Sequence, residues 1–101
     1  MAWGFLTNHA QALLCINNDP GVRLREIAAA LAITERAAFG IVNDLVEAGY
    51  VLKDKAGRRN RYRVQLHQPL PEPVLRQRTV GHLVALLVQA DDDTHSAPSR
   101  R

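Results

Sequence analysis

Residues 24–52 read LREIAAALAITERAAFGIVNDLVEAGYVL, and the fold is decided inside that stretch. Leu24, Ile27, Ala28 and Leu31 recur at i, i+3, i+4 and i+7, one apolar face of a helix predicted over Leu24 to Ala32. Thr34 then offers an N-cap, and Glu35 places a negative charge in the electropositive first turn of the next helix. Ala38, Ile41, Val42 and Leu45 repeat the same spacing, and Gly49 supplies a stop. Two amphipathic helices separated by little more than Ala32 and Ile33 form a helix-turn-helix unit, a motif shared with helical hairpins of other purpose.

Working outward, Thr7 can cap a first helix over Asn8 to Asn17, with Leu13, Leu14 and Ile16 as core candidates. Asn17-Asn18-Asp19-Pro20-Gly21 ends it with turn formers, a proline and a glycine in succession. Downstream, Tyr50-Val51-Leu52 and Tyr62-Arg63-Val64-Gln65-Leu66 read as two short strands. The segment from Lys53 to Arg61 lies between them as a loop, with Gly57 at its turn. A hairpin placed directly after the second helix of such a unit, with basic residues at its tip, is a wing. Residues 1–66 thus form one domain, followed by a connector at 67–73 with Pro69, Pro71 and Pro73. A last helix is expected from Val74 to Gln89, and 90–101 reads as a disordered tail with Asp91-Asp92-Asp93.

Length and composition narrow the function. One hundred and one residues suit one small domain, and 47% hydrophobic residues suffice for a modest core. A lone Cys15 closes no intrachain disulfide. No apolar run approaches the roughly 18 residues of a membrane span. Met1 to Thr7 lacks a basic region ahead of its apolar residues, which predicts no signal peptide and a cytoplasmic protein. The formal net charge is +3. Six basic residues and one acid between Lys53 and Arg63 contribute +5, leaving −2 for the rest. A local cationic feature on a nearly neutral body predicts a polyanion partner.

With these elements in order, the chain resembles winged helix-turn-helix transcription regulators of the MarR/ArsR-like type. The matching residues are Leu24-Arg25-Glu26-Ile27-Ala28 with Leu31, Ile33-Thr34-Glu35-Arg36, and Asp44 to Val51. Gly57-Arg58-Arg59-Asn60-Arg61-Tyr62 completes the match. The resemblance runs from about Thr7 to Leu66 and implies a mostly helical α+β winged fold with a small hairpin and an additional C-terminal helix. It further implies a homodimeric regulator of double-stranded DNA. Helix 34–48 would enter the major groove, offering Thr34, Glu35, Arg36, Phe39, Gly40 and Asn43. The wing over 53–63 would reach phosphate or the minor groove through Lys53, Lys55, Arg58, Arg59, Asn60 and Arg61. Guanidinium groups on an exposed hairpin suit phosphate oxygens.

Two departures stand out. Ala32 sits where such turns often carry glycine, and Phe39-Gly40 occupies positions where many relatives carry polar or basic side chains. Direct base readout favours residues such as Arg36 and Asn43. Phe39 could instead touch a thymine methyl or pack against another protein. Arg36 either reads a guanine or pairs with a helix-face acid such as Asp44.

The last helix is apolar over most of its circumference, which calls for more than one neighbour. Val80, Leu83, Val84 and Leu87 form the stripe expected at a dimer interface, and Leu86 and Val88 lie off it. Trp3, Phe5 and Leu6 either cover the first helix or join that interface. The alternative to a regulator is a winged-helix protein-interaction module using Phe39 and this last helix.

Cys15 reads as a buried, inert thiol, with no basic residue close in sequence to activate it. His9, His67, His82 and His95 show no metal-ligand spacing. No nucleophile–base motif, paired carboxylates or Gly-rich phosphate loop is present, so neither an enzyme nor a cofactor is expected. A third reading, a ligand-responsive repressor, needs a small-molecule pocket between the dimer helices and the body, which the sequence leaves open but does not indicate.

Overall fold

The computed structural model describes residues 4–57 and 59–87, in two compact units that divide between Gln65 and Leu66. The first unit holds three helices followed by a hairpin, a winged helix-turn-helix. In chain order these are α1 (Asn8–Asn18), α2 (Leu24–Leu31), α3 (Glu35–Glu47), β1 (Val51–Ala56) and β2 (Arg59–Val64).

Local chemistry sets each boundary. The Thr7 hydroxyl accepts from the Ala10 amide at 3.1 Å to open α1, and Thr34 does the same for α3 through Ala37 at 3.0 Å. Helix α2 starts without a hydroxyl cap; the Arg23 amide donates to the Glu26 carboxylate at 2.8 Å instead. Asp19 turns the chain after α1 by accepting from the Gly21 amide at 3.1 Å.

The turn between α2 and α3 closes on Ala32, which adopts the left-handed conformation at φ 58°. The Ile33 amide donates back to the Ala28 carbonyl at 2.9 Å, satisfying the last turn of α2. Helix α3 ends in the same way on Gly49 (φ 86°), with the Tyr50 amide donating to the Leu45 carbonyl at 2.9 Å.

The core follows the apolar stripes read from the sequence. Ala12, Leu13 and Ile16 of α1, Ile27 and Ala28 of α2, and Ala38, Val42 and Leu45 of α3 are buried. Val51 and Tyr62 add the root of the hairpin. Each large aliphatic residue in this set contributes about 1.5–3 kcal/mol by leaving water. Leu14, Leu24, Leu31 and Ile41, also on those stripes, are only half-buried.

The hairpin differs from the expected loop of 53–61. Its strands pair antiparallel from Val51↔Val64 out to Ala56↔Arg59, so Lys53, Lys55, Asn60 and Arg61 stand on a pleated ladder. The Tyr62 amide also donates to the Pro20 carbonyl at 2.9 Å, tying β2 to the turn before α2.

In the second unit the expected helix from Val74 is replaced. Pro73–Leu75 forms one 3-10 turn, and Arg76 and Gln77 follow in the left-handed region, at φ 52° and 67°. Pro69 and Thr79 then form an isolated antiparallel bridge. The helix begins after Thr79 and is described over 80–87. Pro73, with its fixed φ and missing donor, suits a first turn but does not carry it past the left-handed pair. Gly81 sits close against the chain before it: its amide donates to the Leu66 carbonyl at 2.8 Å, and a Cβ would lie 3.0 Å from that oxygen, a tight contact that Leu66 would have to relieve by a few tenths of an ångström. The expected end at Gln89 and the tail at 90–101 lie outside the described residues.

Candidate nucleic-acid interface

Pleating divides the wing's charges between two faces. Val51, Lys53 and Lys55 share a face with their partners Val64, Tyr62 and Asn60. Because Val51 and Tyr62 are buried, this face turns toward the helices, and Lys53, Lys55 and Asn60 extend it into solvent. Arg61 and Arg63 stand on the opposite face with Leu52 and Asp54. There Arg63 donates to the Asp54 carboxylate at 3.3 Å, which offsets one cation. The side chains of Arg61, Lys53 and Lys55 have no hydrogen-bond or ion-pair partner among the described residues. Arg59 opens β2, and Arg58 lies outside the described residues.

Helix α3 presents the other half of the surface. Arg36, Gly40, Asn43 and Glu47 recur along its exposed side, and Phe39, 56% exposed, stands on the shoulder toward the wing. Asn43 donates to Glu47 at 3.3 Å, one turn along the same helix. Phe39 and Asn43 border a pinched hollow of about 30 Å³ together with Lys53 and Asn60 of the wing. The exposed side of α3 and the inner face of the wing therefore meet in one place. Thr34 and Glu35 lie at the start of α3, with the Thr34 hydroxyl engaged by the helix cap.

Asn60 also borders a second, wider hollow of about 430 Å³, where it faces Arg23 and Arg25 at the start of α2 and Glu35 at the start of α3. The sequence reading missed Arg23 and Arg25 as neighbours of the wing. Their available signal was two arginines at the electropositive end of a helix, where cations are disfavoured.

Residues 3–59, more than half of the chain, match the family model described as the MarR family. The chain belongs to the MarR family. It is accordingly a DNA-binding transcription regulator by family, and members of the MarR family are not enzymes. No curated protein matches the chain.

The remaining singled-out residues fall elsewhere on this MarR-family chain. Val80 and Val84, two of the four residues expected at a dimer interface, are buried within the single chain. Leu83 and Leu87 are half-buried, and the off-stripe Leu86 is 68% exposed. Cys15 is half-buried on α1, and burial pushes its thiol pKa up, which lowers its thiolate fraction. His9 bonds Asp44, His82 caps the last helix, and His67 is exposed. His95 lies outside the described residues. No helix among the described residues is long and apolar enough to cross a membrane.

Proposed function

We propose that the chain acts as a cytoplasmic homodimer on double-stranded DNA, with α3 in the major groove and the wing on phosphate or in the minor groove. The observation that carries this reading is the shared hollow: Phe39 and Asn43 of α3 meet Lys53 and Asn60 of the wing. A helix of about 10–12 Å diameter fits a major groove about 12 Å wide. The wing beside it then lies against the flanking phosphates, where its unpaired cations displace counterions. Arg36 and Asn43 are the base readers of this arrangement, and Lys53, Lys55, Arg58, Arg59, Asn60 and Arg61 anchor it.

Dimerisation is assigned to the last helix. Since Val80 and Val84 are spent inside the chain, its interface consists of Leu83, Leu86 and Leu87. A two-fold dimer would set two α3 helices on half-sites roughly 34–36 Å apart. The exposed Phe39 favours a second reading, docking of another protein on the same face, which the unpaired cations of the wing oppose.

Fluorescence anisotropy with a mixed pool of labelled duplexes, titrated from low to physiological salt, tests the proposal. The expected result is binding that weakens steeply with salt and leaves an enriched sequence with two half-sites. Absence of binding at low salt overturns it and moves the search to protein partners. Association with a protein partner that survives high salt but is lost on Phe39→Ala supports the docking reading.

A further inference from the structure

Gly40 stands at the middle of the exposed side of α3, one turn after Arg36 and one turn before Asn43 and Asp44. Among the described residues a Cβ built on it meets nothing within 4 Å, and its φ is not among the positive ones. Neither packing among the described residues nor backbone conformation therefore calls for glycine here. Glycine nevertheless weakens a helix interior relative to alanine. The adjoining Phe39 is only partly accounted for from within: it borders the hollow beside Leu24, Val42 and Val46, yet this large aromatic remains 56% exposed.

The two residues ask for the same kind of partner. It must approach the α3 backbone closely at Gly40 and offer an apolar spot at Phe39. It must also carry negative charge where Lys53 borders the same hollow. A duplex major groove meets all three conditions, because its apolar feature is the thymine 5-methyl and phosphates line both of its edges. A protein surface would need acids beside an apolar patch and a matching ridge for the bare backbone.

We infer that Phe39 and Gly40 form a thymine-reading element. Gly40 lets the α3 backbone seat deep in the groove, and Phe39 packs against a thymine 5-methyl. This inference rests on the DNA-binding reading above, and it makes the apolar pair a determinant of specificity alongside Arg36 and Asn43.

The test uses duplexes enriched by the wild-type chain from a randomised pool, resynthesised with uracil in place of thymine so that the methyl groups alone are lost. Wild-type affinity should fall about fourfold for each methyl contact removed. Phe39→Ala should bind the two duplexes alike, while Phe39→Leu, which keeps an apolar surface, should retain a preference for thymine. Gly40→Ala should melt several degrees higher than the wild type. Its added methyl should nonetheless hold the helix off the groove floor and cost a base contact such as that of Arg36 or Asn43, weakening binding to the thymine duplex by roughly tenfold. Circular dichroism verifies that each variant is folded. Equal wild-type affinity for the two duplexes overturns the inference and leaves DNA binding intact. So does undiminished binding by Gly40→Ala, an enriched site without thymine, or binding without enrichment. Failure of the wild type to bind any duplex at low salt overturns the DNA-binding reading as well.

Discussion

His9 of α1 and Asp44 of α3 meet through Nε2 and Oδ2 at 2.8 Å, although 35 residues separate them. The contact lies on the side of α3 away from the wing and joins the first helix to the helix assigned to the groove. It also resolves an ambiguity in the sequence. Asp44 is held by His9, and the Arg36 side chain makes no hydrogen bond or ion pair among the described residues. Its guanidinium stays available to an external partner.

Both members of the His9–Asp44 pair are well exposed, with side chains 47% and 63% accessible. Solvent therefore screens them, and a double-mutant cycle of His9→Ala and Asp44→Ala in urea melts should give a coupling below about 1 kcal/mol. Asp44→Ala also removes a negative charge beside the DNA-facing side, so its binding should be unchanged or slightly tighter. Weaker binding would show that the pair holds α3 in place rather than merely decorating it.

Arg61 and Arg63 share the outer face of the wing and differ in one respect: Asp54 holds Arg63 and not Arg61. A cation already paired inside the protein releases less on meeting phosphate. Arg61→Ala should therefore lower the slope of log affinity against log salt by about 1. Arg63→Ala should lower it by less, and Asp54→Asn should steepen it. Equal slopes for Arg61→Ala and Arg63→Ala would mean that DNA breaks the Asp54 contact or approaches the other face of the wing.

The parts of this fold legible in the sequence were those written in local chemistry. Thr7 and Thr34 marked helix starts because a hydroxyl at the N-cap satisfies an amide three residues on, a bond needing no tertiary partner. The wing strands were read too short because Lys53-Asp54-Lys55 and Arg59-Asn60-Arg61 carry no apolar alternation. Their strand state comes from pairing with each other across the turn. The start of the last helix was misplaced for a different reason. Thr79 and His82 cap it reciprocally, but histidine stands where a glutamate or glutamine would have announced the pattern. Arg23 and Arg25 were missed because only the tie from Tyr62 to Pro20 brings β2 to the start of α2, a contact between residues 42 positions apart.

Ala32 carries a cost that glycine would remove. At φ 58° and ψ 46° its Cβ crowds the following carbonyl, a strain of about 1–2 kcal/mol for an L-residue. Ala32→Gly relieves that strain and gives back about 0.4–1 kcal/mol in freedom of the unfolded chain. The variant should therefore be stabilised by roughly 0.5–1 kcal/mol in urea denaturation, with DNA binding preserved. Destabilisation would show that the exposed methyl of Ala32 contributes packing that offsets its backbone strain.

The cap of the last helix leads to a prediction that separates hydrogen bonding from packing. The Thr79 amide donates to His82 Nδ1 at 2.9 Å, and the His82 amide donates to the Thr79 hydroxyl at 3.3 Å. His82 thus accepts on Nδ1, which requires the neutral ring with its proton on Nε2. His82→Ala removes one arm and should cost about 0.5–1 kcal/mol, read as faster hydrogen exchange in the first turn after Thr79. His82→Glu should restore the protection, because a carboxylate accepts from the same amide and sits well at a helix N-terminus. If glutamate protects no better than alanine, the Thr79–His82 cap does not set the helix start, which rests instead on the 2.8 Å bond from the Gly81 amide to the Leu66 carbonyl.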